Sequence, residues 1–270
     1  MSDQARVTLC IASCEFSKLC MSPIVIVFVM LMIILSLTNA AGCSVVLPRF
    51  SFMSHDEAFF FVGLGNFLWN FSSLFSFLSV CITIVSFSDE KKGAFRVLLT
   101  KPVYRRNVIG GKLFGILSFL FLMMAFTVSI FVSLIMVVYG GPGSLSELFL
   151  RSGSFVLLLF LNCSFSVGLS TFFCILLGKA EAMMASIAFI ALEYLARTPW
   201  VPSFLGDLEI INPVSLYLSA FSCGINQNLY STSIPYLSWA SHALPYVVLM
   251  VAEVVVITLI NCTIFNKEEL

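Results

Sequence analysis

The sequence predicts an all-α integral membrane protein with six transmembrane helices, in a single domain of residues 1–270. Charged residues make up only 10% of the chain and hydrophobic residues 60%, whereas an ordinary soluble domain has about 25% charged residues. The mean hydropathy is +1.05, and the apolar runs are long and continuous rather than alternating as in a barrel. Because unpaired backbone groups are costly in hydrocarbon, each span should be a helix.

Six apolar runs are candidates to cross the membrane. They cover about residues 23–41, 67–87, 113–139, 155–177, 182–196 and 245–265. The long connection at residues 198–244 is itself apolar and carries several Pro and Trp residues, which favours short helices in the outer leaflet. Ahead of the first span, Val7–Met21 mixes Glu15 and Lys18 with apolar residues, which is typical of a helix lying in the membrane interface.

The N-terminal stretch has an alternative interpretation as a signal peptide that ends at the lipobox-like Asn39–Cys43. Two features argue against it. The region before the apolar run is long and not especially basic, and Ala40 occupies the position where a lipobox usually has Leu. The interfacial helix followed by a first span is therefore the preferred interpretation.

The distribution of Lys and Arg predicts the orientation. With the N-terminus inside, eleven of the fourteen basic residues fall in inner segments, and three (Arg49, Arg151 and Arg197) fall outside. Short cytoplasmic loops carry the excess of Lys and Arg in membrane proteins. Both termini should therefore be cytoplasmic, together with the loop Asp89–Lys112, which holds seven of the fourteen basic residues.

This loop predicts a short amphipathic helix that lies crosswise under the membrane. Ser88 is a candidate N-cap, and Asp89 and Glu90 would then lie at the positive end of the helix dipole. Phe95, Leu98 and Leu99 would share one apolar face. Pro102 would end this helix and begin the next one, which enters the third span. An alternative is a simple anchoring loop whose basic side chains bind anionic headgroups.

The residues of this loop resemble those of the permease subunits of type-2 ABC exporters. The resemblance rests on Glu90–Gly93, on Leu98–Arg106 with its Leu-Leu pair, Pro and Arg, and on Gly111-Lys112 at the entry to the next helix. Ala94 departs from it, because Thr is commoner there. The rest of the chain is similar in outline: an interfacial helix with Glu15, six spans, and an apolar outer connection before the sixth span.

The resemblance implies that the chain is an exporter permease in the plasma membrane, and that its loop helix is the coupling helix that receives a separate ATPase subunit. The implied interface residues are Asp89, Glu90, Gly93, Phe95, Arg96, Leu98, Leu99, Pro102 and Arg105. The resemblance also implies a second permease subunit, identical or different. ATP and Mg would be held by the partner ATPase, with no cofactor or metal in this chain and no role for nucleic acid.

Enzyme chemistry is not supported by the sequence. Neither Gly-Lys pair completes a Walker A motif, because Gly111-Lys112 is followed by Leu113 and Gly178-Lys179 by Ala180. There is no HExxH motif, and nucleophile–base pairs for an intramembrane enzyme are missing. A second class of function remains open, namely a membrane anchor or scaffold that does not transport and recruits a soluble partner through the basic loop.

Glu253 lies near the middle of the predicted sixth span. A charged acid at that depth costs about 2.5–3.5 kcal/mol on insertion scales. Two interpretations stay open: Glu253 lines a wet transport pathway, or it makes a polar contact between helices.

Overall fold

The computed structural model describes residues 3–46, 56, 59–60, 66–91, 105–195, 212–222, 229–231 and 234–267. Eight helices lie within these ranges. They are α1 (Asp3–Cys20), α2 (Pro23–Val46), α3 (Asn66–Lys91), α4 (Arg105–Tyr139), α5 (Leu145–Leu176), α6 (Lys179–Leu195), α7 (Pro213–Phe221) and α8 (Tyr236–Lys267). The predicted all-α membrane fold is therefore confirmed for the described part of the chain.

Four helices are long and apolar enough to cross a membrane, among the residues that the structure describes. Their apolar stretches are Pro23–Gly42, Val108–Val138, Leu145–Leu176 and Tyr236–Ile264. They match the predicted first, third, fourth and sixth spans. The predicted second span falls on α3, whose apolar part Phe71–Phe87 is shorter. The predicted fifth span falls on α6, which has 17 residues.

Helix α5 is the centre of the bundle. It packs against α3, α4, α6, α7 and α8, and 72% of its spanning stretch is buried, compared with 11% for α8. Its core positions include Phe155, Leu159 and Val167. Much of the surface of α2 and α8 is apolar and exposed, as expected where lipid is the solvent.

Three helices run in the same direction. Ser154 near the start of α5 contacts Tyr236 and Gly168 further along contacts Asn261 of α8, so α5 and α8 are parallel. Helices α4 and α5 are joined by a short turn, so the start of α4 lies beside the end of α5. Helix α3 contacts the middle of α5 through Ser76 and the start of α4 through Ser86, so its end also points the same way. We call this end of the bundle, where α3 ends and α4 begins, the loop end.

Several helices begin earlier than the predicted spans. Helix α5 starts at Leu145, and Ser144 caps it by accepting a hydrogen bond from the main-chain NH of Glu147 at 3.4 Å, which matches the Ser-x-x-Glu capping pattern. Helix α8 starts at Tyr236 and contains Pro245 in its interior, although a start at Pro245 was predicted. Local capping, rather than hydropathy, therefore sets the start of α5.

The turn between α4 and α5 depends on glycine. Gly140 has a φ of 95°, and it is the one positive-φ residue among those described. Its NH donates to the carbonyl of Met136 at 3.0 Å, which closes the last turn of α4 as a C-terminal glycine commonly does.

Candidate functional site

Helix α1 lies against the start of α4 at unusually close range. A Cβ atom added to Gly111 would lie 2.8 Å from the main-chain oxygen of Thr8, and one added to Gly115 would lie 2.7 Å from that of Ala12. Small residues four positions apart let two helix backbones approach in this way. The segment that was predicted to lie in the membrane interface is thus a helix whose backbone packs directly against α4.

Three polar side chains meet where α1, α3 and α4 converge. The Oε1 atom of Glu15 accepts a hydrogen bond from the hydroxyl of Ser86. The ammonium of Lys112 donates to the main-chain carbonyl of Ser86 at 2.9 Å and lies 3.8 Å from Oε2 of Glu15. We call Glu15, Ser86 and Lys112 the loop-end cluster.

The loop-end cluster is buried and contains one acid and one base. Glu15 is 6% exposed, Ser86 1% and Lys112 2%. Lys112 also lies over the ring of Phe87, 5.2 Å from its centroid. A buried acid and a buried base at this distance compensate each other, and neither is tolerated alone. The acid and the base of the cluster therefore depend on each other, and removing either one affects the contacts of the other.

The structure places the predicted loop residues on either side of a segment that it does not describe. Asp89 and Glu90 lie in the last turn of α3, because this helix continues without a break to Lys91. Ser88 is therefore inside α3, and its predicted role as the N-cap of a separate helix is wrong. The run from Phe87 to Lys91 contains no Gly or Pro that would stop the helix.

Of the other predicted interface residues, Arg105 is the first residue of α4. Gly93, Phe95, Arg96, Leu98, Leu99 and Pro102 lie outside the described residues. The coupling helix thus stays a prediction. The segment that would hold it lies between Lys91 and Arg105. Ser86 and Lys112 of the loop-end cluster lie in the helices on either side of this segment.

A buried polar stripe extends from this cluster along α3. Its members are Ser72, Ser76, Ser79, Thr83 and Ser86, all nearly inaccessible to solvent. The spacing of three and four residues places them on one helix face. At the far end, the hydroxyl of Tyr194 lies 3.3 Å from Oγ of Ser76, and the side-chain amide of Asn162 donates to the same atom at 3.2 Å.

A family model described as "ABC-2 family transporter protein" matches residues 9–270. The chain belongs to the ABC-2 transporter permease family. The resemblance found in the loop residues is thereby confirmed. No curated protein matches the sequence significantly. The permease is a multi-pass plasma membrane protein, a transport component that is not itself catalytic, and its family implies association with an ABC ATPase.

A second buried charge lies at the end of the permease opposite to the loop end. Arg151 of α5 is fully buried. Its guanidinium donates to the main-chain carbonyls of Leu229, Ser231 at 3.0 Å and Ile234 at 2.9 Å. It also lies 3.4 Å from the carboxylate of Glu147. Arg151 thus fixes part of the long apolar connection onto the start of α5.

Aromatic rings surround this arginine. Phe60 lies 5.8 Å from the guanidinium carbon of Arg151 and stacks on Tyr230, which in turn packs against Phe155 and Phe221. The short helix α7 is almost wholly buried in this region. The predicted short helix in the outer connection is therefore confirmed for residues 213–221.

Glu253 is half-buried on α8, and its Oε2 atom is buried without a hydrogen-bond partner among the described residues. The same holds for Oε1 of Glu193 on α6. The structure therefore gives neither acid a compensating cation in the part of the chain that it describes.

Sequence reasoning named Glu15 and Lys112 but did not bring them together. It placed Arg151 on the outer side by charge counting alone and assigned it no role. One signal could have identified Arg151: a single basic residue inside a long apolar helix must find buried acceptors. The partners of Lys112 lie on two other helices, which local periodicity does not reveal.

Proposed function

We propose that this chain is the membrane-spanning subunit of an ABC exporter, in which a separate ATPase subunit binds the loop between α3 and α4. The partner would hold ATP and Mg, and this chain would supply the pathway. Family membership supports the transport role, and the position of the basic loop carries the more specific proposal. Seven of the fourteen basic residues lie in Asp89–Lys112, and buried polar contacts join the two helices that flank this loop.

The proposed topology has six spans and both termini in the cytoplasm. The parallel course of α3, α5 and α8 supports it, because helices that alternate with them must return in the opposite direction. The excess of Lys and Arg at the loop end supports a cytoplasmic location for that end. Helices α3 and α6 would be the second and fifth spans, each stabilised by neighbours rather than by hydropathy alone.

The proposed docking surface is the segment Asp89–Leu99, with Glu90 and the apolar side chains Phe95 and Leu98. Two permease subunits, identical or different, would complete the transporter. We expect Glu90→Ala and the pair Phe95→Ala/Leu98→Ala to weaken recruitment of the ATPase while leaving the spans folded. An unchanged amount of ATPase co-purifying with these variants would contradict docking at this segment.

The experiment that tests the proposal has two steps. Tagged permease is purified in mild detergent from its own membranes, and co-purifying proteins are identified by mass spectrometry. The complex is then reconstituted in vesicles, and ATP-dependent accumulation of candidate lipophilic compounds is measured. Co-purification of an ABC ATPase together with ATP-dependent flux is expected. Recruitment of a partner that is not an ATPase would instead indicate an anchor or scaffold.

Glu253 is proposed as a pathway residue. Its carboxylate is half-buried in α8 and has an oxygen with no partner among the described residues. Such an oxygen is available to water or to a polar group in transit.

A further inference from the structure

We propose that the loop-end cluster clamps both ends of the α3–α4 loop to α1, so that α1 and this loop move as one body. Glu15, Ser86 and Lys112 would then be positioning residues, which act by holding other groups in place. The clamp itself needs no partner protein. Its consequence for ATP turnover rests on the proposed function.

The first step is the geometry. Ser86 lies in α3 before residues 92–104, and Lys112 lies in α4 after them. The two residues are 26 positions apart in sequence. Lys112 binds the main-chain carbonyl of Ser86, so the spacing between the two ends of the loop is set by a side chain to backbone contact. Glu15 then binds both ends, through the hydroxyl of Ser86 and the ammonium of Lys112.

The second step is the close fit of α1 on α4. Gly111 adjoins Lys112, and Gly115 faces the main chain of Ala12 and the Cβ of Glu15, 3.1 Å from the position of an added Cβ. The backbones are thus in contact on either side of the buried charges. A displacement of α1 would pull Glu15 away from both Ser86 and Lys112 and separate a buried acid from a buried base, which is costly in a low-dielectric environment.

The third step is the direction of transmission. Two contacts connect α1 to the boundaries of the loop: the hydrogen bond between Glu15 and Ser86 of α3, and the close packing of α1 along α4. A push on the loop would therefore displace α1 together with the ends of both helices. The clamp thus makes α1 an obligatory part of any movement of the loop.

The test uses the full-length permease in lipid nanodiscs and hydrogen–deuterium exchange. Lys112→Met removes the donors, Glu15→Gln removes the charge at nearly constant shape, and Lys112→Arg keeps a cation and donors. We expect both disruptive variants to raise exchange about fivefold or more in α1, in residues 86–91 and in residues 105–112 together. Lys112→Arg should stay close to the wild type.

Lys18→Gln is the matched control, because it removes a charge from an exposed position of the same helix. It should leave exchange in all three segments unchanged. A rise that is confined to residues 105–112 while α1 is unaffected would overturn the clamp. A rise of equal size in α7, which lies at the opposite end, would also overturn it, because it would indicate a general loss of stability.

A second arm measures ATP turnover of the complex with the co-purifying ATPase. Lys112→Met and Glu15→Gln should keep the ATPase bound but reduce its stimulation by the permease about fivefold or more, while Lys112→Arg retains stimulation. Loss of ATPase binding in these variants would make the cluster a docking element and overturn the positioning role. If no ABC ATPase binds the wild type, the proposed function fails, and the exchange experiment still decides the clamp.

Discussion

At the scale of single residues, the buried cations Lys112 and Arg151 are compensated by different kinds of partner. The loop-end cluster pairs an acid with a base, whereas Arg151 is satisfied mainly by main-chain carbonyls. Carbonyls compensate a cation only while their segment stays in place. Removing Arg151 should therefore change the free energy of unfolding by a different amount than removing one member of the acid–base pair.

Replacing Arg151 by Met should strongly destabilise the permease. Each buried carbonyl left without a donor costs about 1–3 kcal/mol, so the loss should reach about 3 kcal/mol or more. Arg151→Lys should also destabilise, since an ammonium cannot reproduce the planar fork of donors. The measurement is the thermal unfolding midpoint in detergent.

Glu147→Gln is the control for this prediction, because Glu147 forms the partly exposed side of an i,i+4 pair with Arg151. Such pairs contribute about 0–1 kcal/mol, so the midpoint should change little. If Arg151→Met unfolds at the same temperature as the wild type, its three carbonyl contacts do not stabilise the outer connection.

Glu253→Gln should leave the permease as stable as the wild type or make it more stable. The substitution keeps the shape of the side chain and replaces a half-buried carboxylate whose Oε2 atom has no hydrogen-bond partner among the described residues. Thermal unfolding in nanodiscs measures this, with the disruptive Glu15→Gln as the comparison. A marked drop in the midpoint for Glu253→Gln would show that the carboxylate has a partner after all, and would argue against a pathway role.

At the scale of helices, the contact between α1 and α4 depends on the absence of side chains at two positions. Gly111→Ala would place a methyl group 2.8 Å from a main-chain oxygen, closer than van der Waals contact allows. Overpacking of this kind costs about 1–3 kcal/mol. We therefore expect a lower unfolding midpoint and faster proteolytic cleavage of α1.

The neighbouring Gly110 provides the matched control, because a Cβ added there meets nothing within 4 Å. Gly110→Ala should be neutral or stabilise the helix by up to about 1 kcal/mol, since Ala favours a helix interior over Gly. Equal effects of the two substitutions would show that α1 is not seated on Gly111.

The helices themselves were largely predictable, and their ends were not. Hydropathy located the apolar stretches of α2, α4, α5 and α8, because lipid imposes a length on each span. It missed the first turns of α5, which Ser144 caps, and of α8, which begins at Tyr236. The capping preference of Ser gave Ser88 the wrong role, because the sequence after Ser88 contains no Gly or Pro that would stop α3 before Lys91.

At the scale of the whole molecule, the sequence drew attention to Glu15 and Lys112 but not to Ser86, and it did not show that these residues meet. Glu15, Ser86 and Lys112 come from three helices, and their contact depends on how α1 packs. The polar stripe of α3 has regular spacing in the sequence, but its burial against α5 and α6 is a tertiary property. The number of Lys and Arg residues on each side of the spans was informative about orientation. The excess of basic residues in cytoplasmic loops depends on such totals rather than on contacts between residues.

The proposed topology gives a direct prediction for the whole chain. Reporter domains fused after residue 270 and before residue 1 should be active only in the cytoplasm, and a reporter inserted at Gly141 should be active only outside. The physical basis is the excess of Lys and Arg at the loop end. A pair of termini on opposite sides would require an odd number of spans and would contradict the role of either α3 or α6 as a span.

The buried position of Arg151 has a consequence for how the permease is made. Helix α5 enters the membrane during synthesis before residues 229–234 exist, so its arginine has at first only Glu147 within its own helix. The acceptors arrive only when most of the chain has left the ribosome. The connection that holds residues 229–234 can therefore pack on α5 only late in synthesis, and in a nascent chain that stops after α6, Arg151 would have Glu147 but none of its three carbonyl acceptors.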